Sequence, residues 1–222
     1  GGLAGAAIAC AGFNSIVVSG ITKVAIFIVV APVLGLLVSF VISALVIFIC
    51  KNASPYIADK YFRKLQFLSA AAFSLGHGGN DAQKSMGIIW VALIVAGQVT
   101  KNDPISLWIV LSCHAAMGLG TLFGGWRIIK TMGQKITNLK PFEGFCAETS
   151  GALTLFGATL FGIPVSTTHT ITGAIIGVGA RKGASAVKWG VTGKIFWAWI
   201  LTIPVSALIS AAAYYILSSF NL

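Results

Sequence analysis

Two short polar clusters interrupt apolar stretches that are otherwise long enough to cross a membrane. In the first cluster, residues 77–84 (HGGNDAQK), Asp81 and Lys84 are three residues apart and can pair on one face of a helix. Ionisable side chains inside a bilayer are costly, and they usually face a partner or a water-filled cavity. An ion pair that only joins helices is the alternative, and it leaves three neighbouring polar side chains unexplained. These are His77, Asn80 and Gln83.

The second cluster, residues 164–172 (PVSTTHTIT), combines a helix-breaking proline with five hydroxyl side chains. Pro164 should stop one helix, and Ser166, Thr167 and Thr168 can cap the next one. The N-terminus of a helix presents free N–H groups and a positive dipole end, which together bind anions. Capping needs one hydroxyl. The surplus therefore predicts an oxyanion site, with ordinary capping as the simpler alternative.

Three further residues are candidates for coupling a cation to the anion. Glu148 is either an interfacial residue near a helix start, where a carboxylate is favoured anyway, or a cavity carboxylate that takes up H⁺ or Na⁺. His77 and His169 could bind the anion or relay a proton, or they could be buried structural histidines. No metal-ligand spacing or nucleophile–base pair is present. We therefore predict no resident metal, no cofactor and no enzymatic activity.

The composition indicates what positions these clusters. Of the 222 residues, 57% are hydrophobic and 9% are charged, whereas soluble domains have about 25% charged residues. We predict an all-α integral membrane protein, a multi-span helical bundle. The predicted spans are residues 21–49, 65–99, 105–126 and 189–217. The net charge of +10 comes from basic loops between spans, so it does not call for a nucleic acid partner.

The basic loops also predict a topology. They are placed in the cytoplasm by the positive-inside rule, and they cover residues 51–64, 127–140 and 181–188. Residues 143–178 must then begin and end on the same side of the membrane. We predict that they form a re-entrant helical hairpin whose tip carries the hydroxyl cluster.

The chain also resembles itself at a shift of 172 residues. The matching pairs are Gly1 with Gly173, Gly5 with Gly177 and Pro32 with Pro204. The spans that follow the two glycine-rich stretches cross the membrane in opposite directions in the predicted topology. Inverted repeats of this kind are typical of secondary transporters, whose sites lie where the repeats meet.

The repeat divides the chain into three predicted segments. Residues 1–50 would be the end of a first repeat, residues 51–64 a cytoplasmic basic loop, and residues 65–222 a second repeat that holds both polar clusters. Because the sequence starts within an apolar, glycine-rich stretch, we expect it to be the C-terminal portion of a longer protein.

These motifs resemble those of the inorganic phosphate transporter (PiT) family, in its bacterial low-affinity form. Residues 77–84 resemble the GxND signature of that family's second repeat, and residues 163–169 (IPVSTTH) resemble its re-entrant hairpin motif. Glu148 lies where the family has a membrane glutamate, and residues 1–11 resemble the end of the first-repeat motif. The resemblance covers nearly the whole chain.

The resemblance implies symport of inorganic phosphate with H⁺ or Na⁺, between two inverted halves that each supply an Asn-Asp motif and a hydroxyl-bearing hairpin. The implied substrate-binding residues are Asn80, Asp81, Gln83, Lys84, Ser166, Thr167 and Thr168. The implied cation-coupling residues are Asp81, Asn80, Glu148, His77 and His169. Only the second half-site is present in this sequence.

The implied setting is a multi-pass protein of the bacterial inner membrane, surrounded by lipid. Its expected partner is the N-terminal half of the same protein, and a homodimer is one possible assembly. Phosphate could travel free or as a metal complex. A sulfate or other oxyanion permease of the same fold is the alternative function. Alternatives from other classes are a membrane-embedded enzyme that uses His77, Asp81 and His169, and a purely structural subunit.

Overall fold

The computed structural model describes residues 1–220, apart from the side chain of Arg127, and in this part of the chain it contains eight α-helices and no strand. The helices are α1 (Gly2–Ala11), α2 (Val18–Cys50), α3 (Pro55–Val95), α4 (Leu107–Gly124), α5 (Trp126–Lys130), α6 (Pro141–Leu160), α7 (Thr167–Arg181) and α8 (Trp189–Ser219). The predicted all-α class is confirmed. The last two residues of the predicted segment 65–222 lie outside the described residues.

Three of the described helices, α2, α4 and α8, are long and apolar enough to cross a membrane. At 33 residues, α2 is about 50 Å long, which exceeds the roughly 30 Å thickness of a bilayer's hydrocarbon core. The predicted spans 21–49, 105–126 and 189–217 coincide with these helices. The chain is therefore a multi-pass membrane protein, as predicted.

The remaining predicted span, residues 65–99, falls mostly on α3, which is not among these three helices. This helix ends at Val95 and is longer at its N-terminal end than the sequence suggested. This helix begins at Pro55, so residues 55–64 of the predicted basic loop are helical. Proline at the first helical position loses no hydrogen bond. One turn further on, Arg63 Nε donates to Asp59 Oδ2 at 2.8 Å, an i,i+4 pair that supports the extra turns.

Helices α6 and α7 pack against each other and form a helical hairpin with residues 161–166 as its turn. The sequence assigned the end of the first helix to Pro164, and this was wrong: α6 ends at Leu160. The cause is Gly162, which has a φ of +61° that favours glycine. Its N–H bonds to Thr159 O, and Ile163 N–H bonds to Ala158 O, which is the Schellman pattern of helix ends.

The chain forms two compact units, and each is held by close helix packing at small residues. The first unit contains Gly1–Ile26 and the chain from Lys188 onward. Within it, α1 packs on α8, with Gly5 directly against the backbone of Ala207. Small residues let membrane helices approach this closely.

The second unit, Phe27–Val187, contains the polar clusters and repeats this packing. Here Gly173 and Gly177 of α7 lie against the backbone of Pro32 and Leu36 on α2. Gly1 of the first unit lies against Ile203, the residue before Pro204. The contact recurs at nearly the register of the 172-residue shift. This recurrence supports the internal repeat, which stays a prediction together with its orientation in the membrane.

The close approach of α7 to α2 yields a stability prediction. In Gly173→Ala, the added methyl group would collide with the Pro32 backbone. Backbone cannot rotate away as a side chain can, so α7 must shift. We expect a loss of at least the roughly 1–3 kcal/mol typical of overpacking, measured as a lower melting temperature of the purified protein in detergent.

Gly157→Ala on α6 is the matched control, because a methyl group there meets no atom within 4 Å. It should melt at or slightly above the wild-type temperature, since alanine favours helix by about 1 kcal/mol. Equal melting temperatures for the two variants would contradict the packing described for α7.

Candidate functional site

The first polar cluster lies in the middle of α3 and faces the tip of the hairpin. Gly76, Gly78 and Gly79 do not break α3, which runs through them as one helix. Gly78 and Gly79 instead leave space: a methyl group on either would meet nothing within 4 Å. The backbone of α3 is therefore accessible beside Asn80 and Asp81.

Asp81 is the centre of the site, because its carboxylate is contacted by groups from both α3 and α7. Lys84 Nζ donates to Oδ1 at 2.6 Å, and Thr167 Oγ1 donates to Oδ2 at 2.8 Å. Asn80 Nδ2 adds a longer contact to Oδ1 at 3.3 Å. Charge-assisted hydrogen bonds of this length are the stronger kind in proteins. The predicted pair of Asp81 and Lys84 is thus present, and the hairpin completes it.

His77 lies one turn before Asp81 on the same face of α3. Its Nδ1 is 2.9 Å from Asp81 Oδ2, which is close enough for an ion pair when the ring is protonated. The ring N–H does not point along a well-formed hydrogen bond in this arrangement. The ring also stacks on Phe73, with the centroids 6.1 Å apart. His77 therefore belongs to the Asp81 cluster.

The carbonyl of Val165, just before the hydroxyl cluster, is a second junction between α3 and the tip. It accepts hydrogen bonds from Asn80 Nδ2 and from Lys84 Nζ, both at 3.0 Å. The Val165 side chain is buried with Ala31 and Leu155 in an apolar cluster. One residue thus joins the polar site to the hydrophobic core. Sequence reasoning missed it, because a valine gives no signal of its carbonyl's role.

The start of α7 has the form of an anion site. Ser166 is the N-cap, and its Oγ accepts from His169 N–H at 3.4 Å. Thr167 is buried against Asp81, whereas Thr168 is exposed. The first N–H groups of a helix have no intrahelical partner and carry the positive end of its dipole. The predicted residues Ser166, Thr167 and Thr168 therefore surround one helix N-terminus.

Two of the five hydroxyls have another role. Thr170 and Thr172 are buried, and they donate to the carbonyls of Ser166 and Thr168 one turn earlier, at 3.0 and 2.6 Å. Such bonds are common for threonine inside helices. The hydroxyl count therefore exaggerated the sequence signal, and the part relevant to the site is the three residues at the tip.

Two other predicted residues lie apart from the Asp81 network. Gln83 is exposed on α3 and has no hydrogen-bond partner among residues 1–220. His169 is buried on α7 and is hydrogen-bonded with the backbone at Ile28 of α2. The structure does not bring either side chain to the carboxylate of Asp81.

Glu148 forms a separate polar contact between α6 and α3. Ser69 Oγ donates to Glu148 Oε2 at 2.7 Å, and Gln66 also hydrogen-bonds this carboxylate. Ser69 is buried, so the carboxylate points into the helix interface and not towards the bilayer surface. The sequence did not indicate Ser69 or Gln66, because one serine and one glutamine in a helix are ordinary.

The described residues contain no group of three or more His, Cys, Asp or Glu side chains that could hold a metal ion. Oxygen atoms of Asp81, Thr167 and the Val165 carbonyl lie where α3 meets the hairpin tip. Oxygen ligands of this type suit a hard cation such as Na⁺. Lys84, the tip hydroxyls and the free N–H groups of α7 suit an oxyanion.

Comparison with known proteins identifies relatives of this chain. The model of the phosphate transporter family matches residues 51–210. A probable low-affinity inorganic phosphate transporter of Rhizobium meliloti is 55% identical over 97% of this chain and 64% of its own length. One of Bacillus subtilis is 43% identical over 98% of this chain and 66% of its length. The chain thus spans about two thirds of the length of these relatives.

A solved structure described as "The sodium-dependent phosphate transporter" superposes with a TM-score of 0.83 at 27% identity. The match covers 96% of this chain and 70% of that one. The relatives are described as transporters and not as enzymes, in agreement with the sequence prediction.

The Asp81 network predicts how tightly the hairpin tip is held. Asp81→Asn removes the charge that attracts Lys84 and weakens the bond from Thr167. Hydrogen bonds to charged groups contribute about 1.5–3 kcal/mol, and partial exposure of Lys84 favours the lower end. We expect amide hydrogen exchange in residues 161–169 to become about tenfold faster in the purified protein.

Asp59→Asn is the control, because Asp59 makes an exposed i,i+4 pair on the same helix, about six turns before Asp81 and away from the hairpin tip. Exchange at the tip should be unchanged in this variant. Tip exchange in Asp81→Asn that equals the wild-type rate would show that Asp81 does not hold the hairpin.

Proposed function

The chain belongs to the phosphate transporter family, and on this premise we propose that it is the portion of a carrier that binds inorganic phosphate and moves it across a membrane by symport with a cation. The observation that supports this most directly is the Asp81 network. It brings a carboxylate, an ammonium group, a hydroxyl and a helix N-terminus together between α3 and the α6–α7 hairpin.

The proposed phosphate ligands are groups that now satisfy one another. Lys84 and Thr167 donate to Asp81, and Ser166 caps α7. A phosphate at the start of α7 would take hydrogen bonds from Lys84, from the tip hydroxyls and from the first N–H groups of the helix. Asn80 would keep the tip in place through the Val165 carbonyl.

The carboxylate of Asp81 supplies a physical reason for symport. An anion bound about 4 Å from an ionised carboxylate is repelled by about 4 kcal/mol at an effective dielectric constant of 20, a factor of about a thousand in affinity. A cation bound at Asp81 cancels this repulsion. We propose Na⁺, held by the oxygens of Asp81, Thr167 and Val165, with H⁺ as the alternative. The name of the sodium-dependent structural neighbour supports this choice.

Glu148 is proposed as a second cation-coupling residue, with His77 as a modulator of Asp81. The Glu148 carboxylate lies in the interface of α3 with α6, where taking up a cation would change its contact with Ser69. Gln83 in substrate binding and His169 in cation coupling stay predictions from the sequence, because neither side chain reaches the Asp81 network in this arrangement.

A complete carrier would need a second hairpin tip, and we propose that an N-terminal portion of the same protein supplies it, as the sequence repeat predicts; the relatives are longer than this chain. Phosphate would lie between the two tips, and the two halves would expose it alternately. We place this carrier in the inner membrane of a bacterium, as a multi-pass protein in contact with lipid. Homodimer formation and transport of phosphate as a metal complex stay predictions from the sequence.

The first test is phosphate uptake by the complete transporter reconstituted in liposomes. Asp81→Asn should lower the initial rate of labelled phosphate uptake by at least about a hundredfold, because both cation binding and the position of Lys84 depend on the charge. Thr167→Val, which keeps the shape and removes the hydroxyl, should lower it by about tenfold, the usual effect of one lost hydrogen bond.

Thr121→Val is the matched control, since the Thr121 hydroxyl only bonds back to Met117 on α4. Its uptake should equal that of wild type. Wild-type uptake in Asp81→Asn would refute the proposed site. Equal competition by sulfate in the wild-type protein would favour the broader oxyanion permease over a phosphate carrier.

The second test concerns the coupled ion. With an inward Na⁺ gradient at equal pH on both sides, uptake should exceed that without a gradient, and Thr167→Ser should retain the effect because its hydroxyl oxygen is kept. Stimulation by an inward proton gradient alone, without Na⁺, would reject Na⁺ and assign the coupling to H⁺.

A further inference from the structure

The second unit contains a cavity of about 540 Å³ that lies far from Asp81, where α2 and α7 end and α3 and α6 begin. Phe62, in its wall, precedes Asp81 by 19 residues on α3, about 28 Å along the helix. Arg181, also in its wall, follows Thr167 by 14 residues on α7, about 21 Å. The cavity is therefore separate from the proposed transport site.

The charges around this cavity are unbalanced. Its charged lining residues are Lys51, Asp59, Lys140, Glu143, Arg181 and Lys182. Both carboxylates are already engaged. Glu143 pairs with Lys182 Nζ at 2.6 Å and accepts the Lys140 backbone N–H at 2.6 Å, and Asp59 pairs with Arg63.

Three basic side chains around the cavity, from three different parts of the fold, are not paired with these two carboxylates. Among residues 1–220, the side chains of Lys51, Lys140 and Arg181 form no ion pair with an Asp or Glu. Helix dipoles do not explain the excess positive charge around the cavity. Two helices end here and two begin, so that their dipoles oppose one another. The side chains themselves supply the positive field.

The other walls of the cavity are apolar, and they include Ile47, Phe62, Phe142 and Val178. Its volume lies within the roughly 300–1,000 Å³ of sites for organic ligands and exceeds the space that inorganic phosphate needs. A charged rim above apolar walls, at the ends of membrane helices, fits an amphiphile with an anionic head.

We propose that this cavity binds a phosphate group at Lys51, Lys140 and Arg181, carried by an acidic phospholipid. Basic pockets between transmembrane helices on the cytoplasmic side are suited to anionic headgroups, and the positive-inside rule predicts that this end faces the cytoplasm. The guanidinium group of Arg181 can hold two phosphate oxygens at once. The apolar walls accommodate the start of the acyl chains. The site does not depend on the proposed transport function.

The test uses the complete protein, purified in detergent and titrated with short-chain phosphatidylglycerol or phosphatidylcholine, with bound lipid counted by native mass spectrometry. Wild type should bind phosphatidylglycerol in preference to phosphatidylcholine. The double variant Lys140→Gln/Arg181→Gln should bind phosphatidylglycerol about thirtyfold more weakly, as expected for two lost basic contacts. Lys60→Gln/Lys64→Gln, which removes two exposed charges from α3 outside the cavity, should bind as wild type does.

The pair Lys140→Arg/Arg181→Lys keeps both charges and should retain binding, so a loss seen only in the glutamine variant is not a folding defect. Inorganic phosphate is titrated separately by calorimetry in Asp81→Asn protein, where the proposed transport site is disabled. Phosphate binding there that disappears with the glutamine pair would support the site with free phosphate as its source. If neither ligand distinguishes wild type from the glutamine variant, the proposal is overturned.

Discussion

The contact between Asp81 on α3 and the tip of the α6–α7 hairpin is the interaction on which the rest of the second unit depends. A carboxylate inside a membrane helix is tolerated only with partners. Lys84 is available from the same helix, but Thr167 can donate to the carboxylate only when the hairpin tip reaches α3, where the Val165 carbonyl also accepts from Lys84. The polar groups of the tip have the same need, since the turn between two helices leaves backbone groups unpaired. The tip therefore supplies a donor to Asp81, and α3 supplies donors to the Val165 carbonyl. We call this polar contact in the middle of α3 the polar joint.

The tip can reach Asp81 because α7 lies unusually close to α2. Gly173 and Gly177 remove the side chains that would otherwise separate the two helices, and Ser150 of α6 adds a hydrogen bond to the Gly35 carbonyl of α2. Val165 then buries its side chain beside Ala31 while its carbonyl faces α3. The polar joint is therefore built on close-packed backbone, where a shift of one methyl group is felt. Under the proposed function, a site that releases and rebinds an ion gains from such a scaffold, because the side chains can exchange partners while the helices stay in place.

Much of this arrangement could be predicted from the sequence, because its signals are local. Apolar length gave the spans, and the types and spacing of Asp81, Lys84 and the tip hydroxyls indicated a polar site within them. The misses have a common cause. The end of α6 depends on the backbone conformation of Gly162. The roles of Val165 and Ser69 depend on which helices pack together. Neither feature can be recognised from the residue types of a single segment. Thr170 and Thr172 have the same side chain as Thr167, and only the helix register decides that they bond back along α7. Composition could not separate them.

Under the proposed function, the saturation of Asp81 imposes an order on binding. In this arrangement Lys84 and Thr167 are both committed to the carboxylate, so an incoming phosphate finds an unneutralised negative charge and two occupied donors. A cation that binds Asp81 first neutralises the carboxylate, which weakens its attraction for the donors Lys84 and Thr167. It releases the ammonium group and the hydroxyl at the place where the N–H groups of α7 already face the site. The anion then gains the donors that the cation freed. Coupling at this site thus follows from competition between the cation and the two donors for one carboxylate.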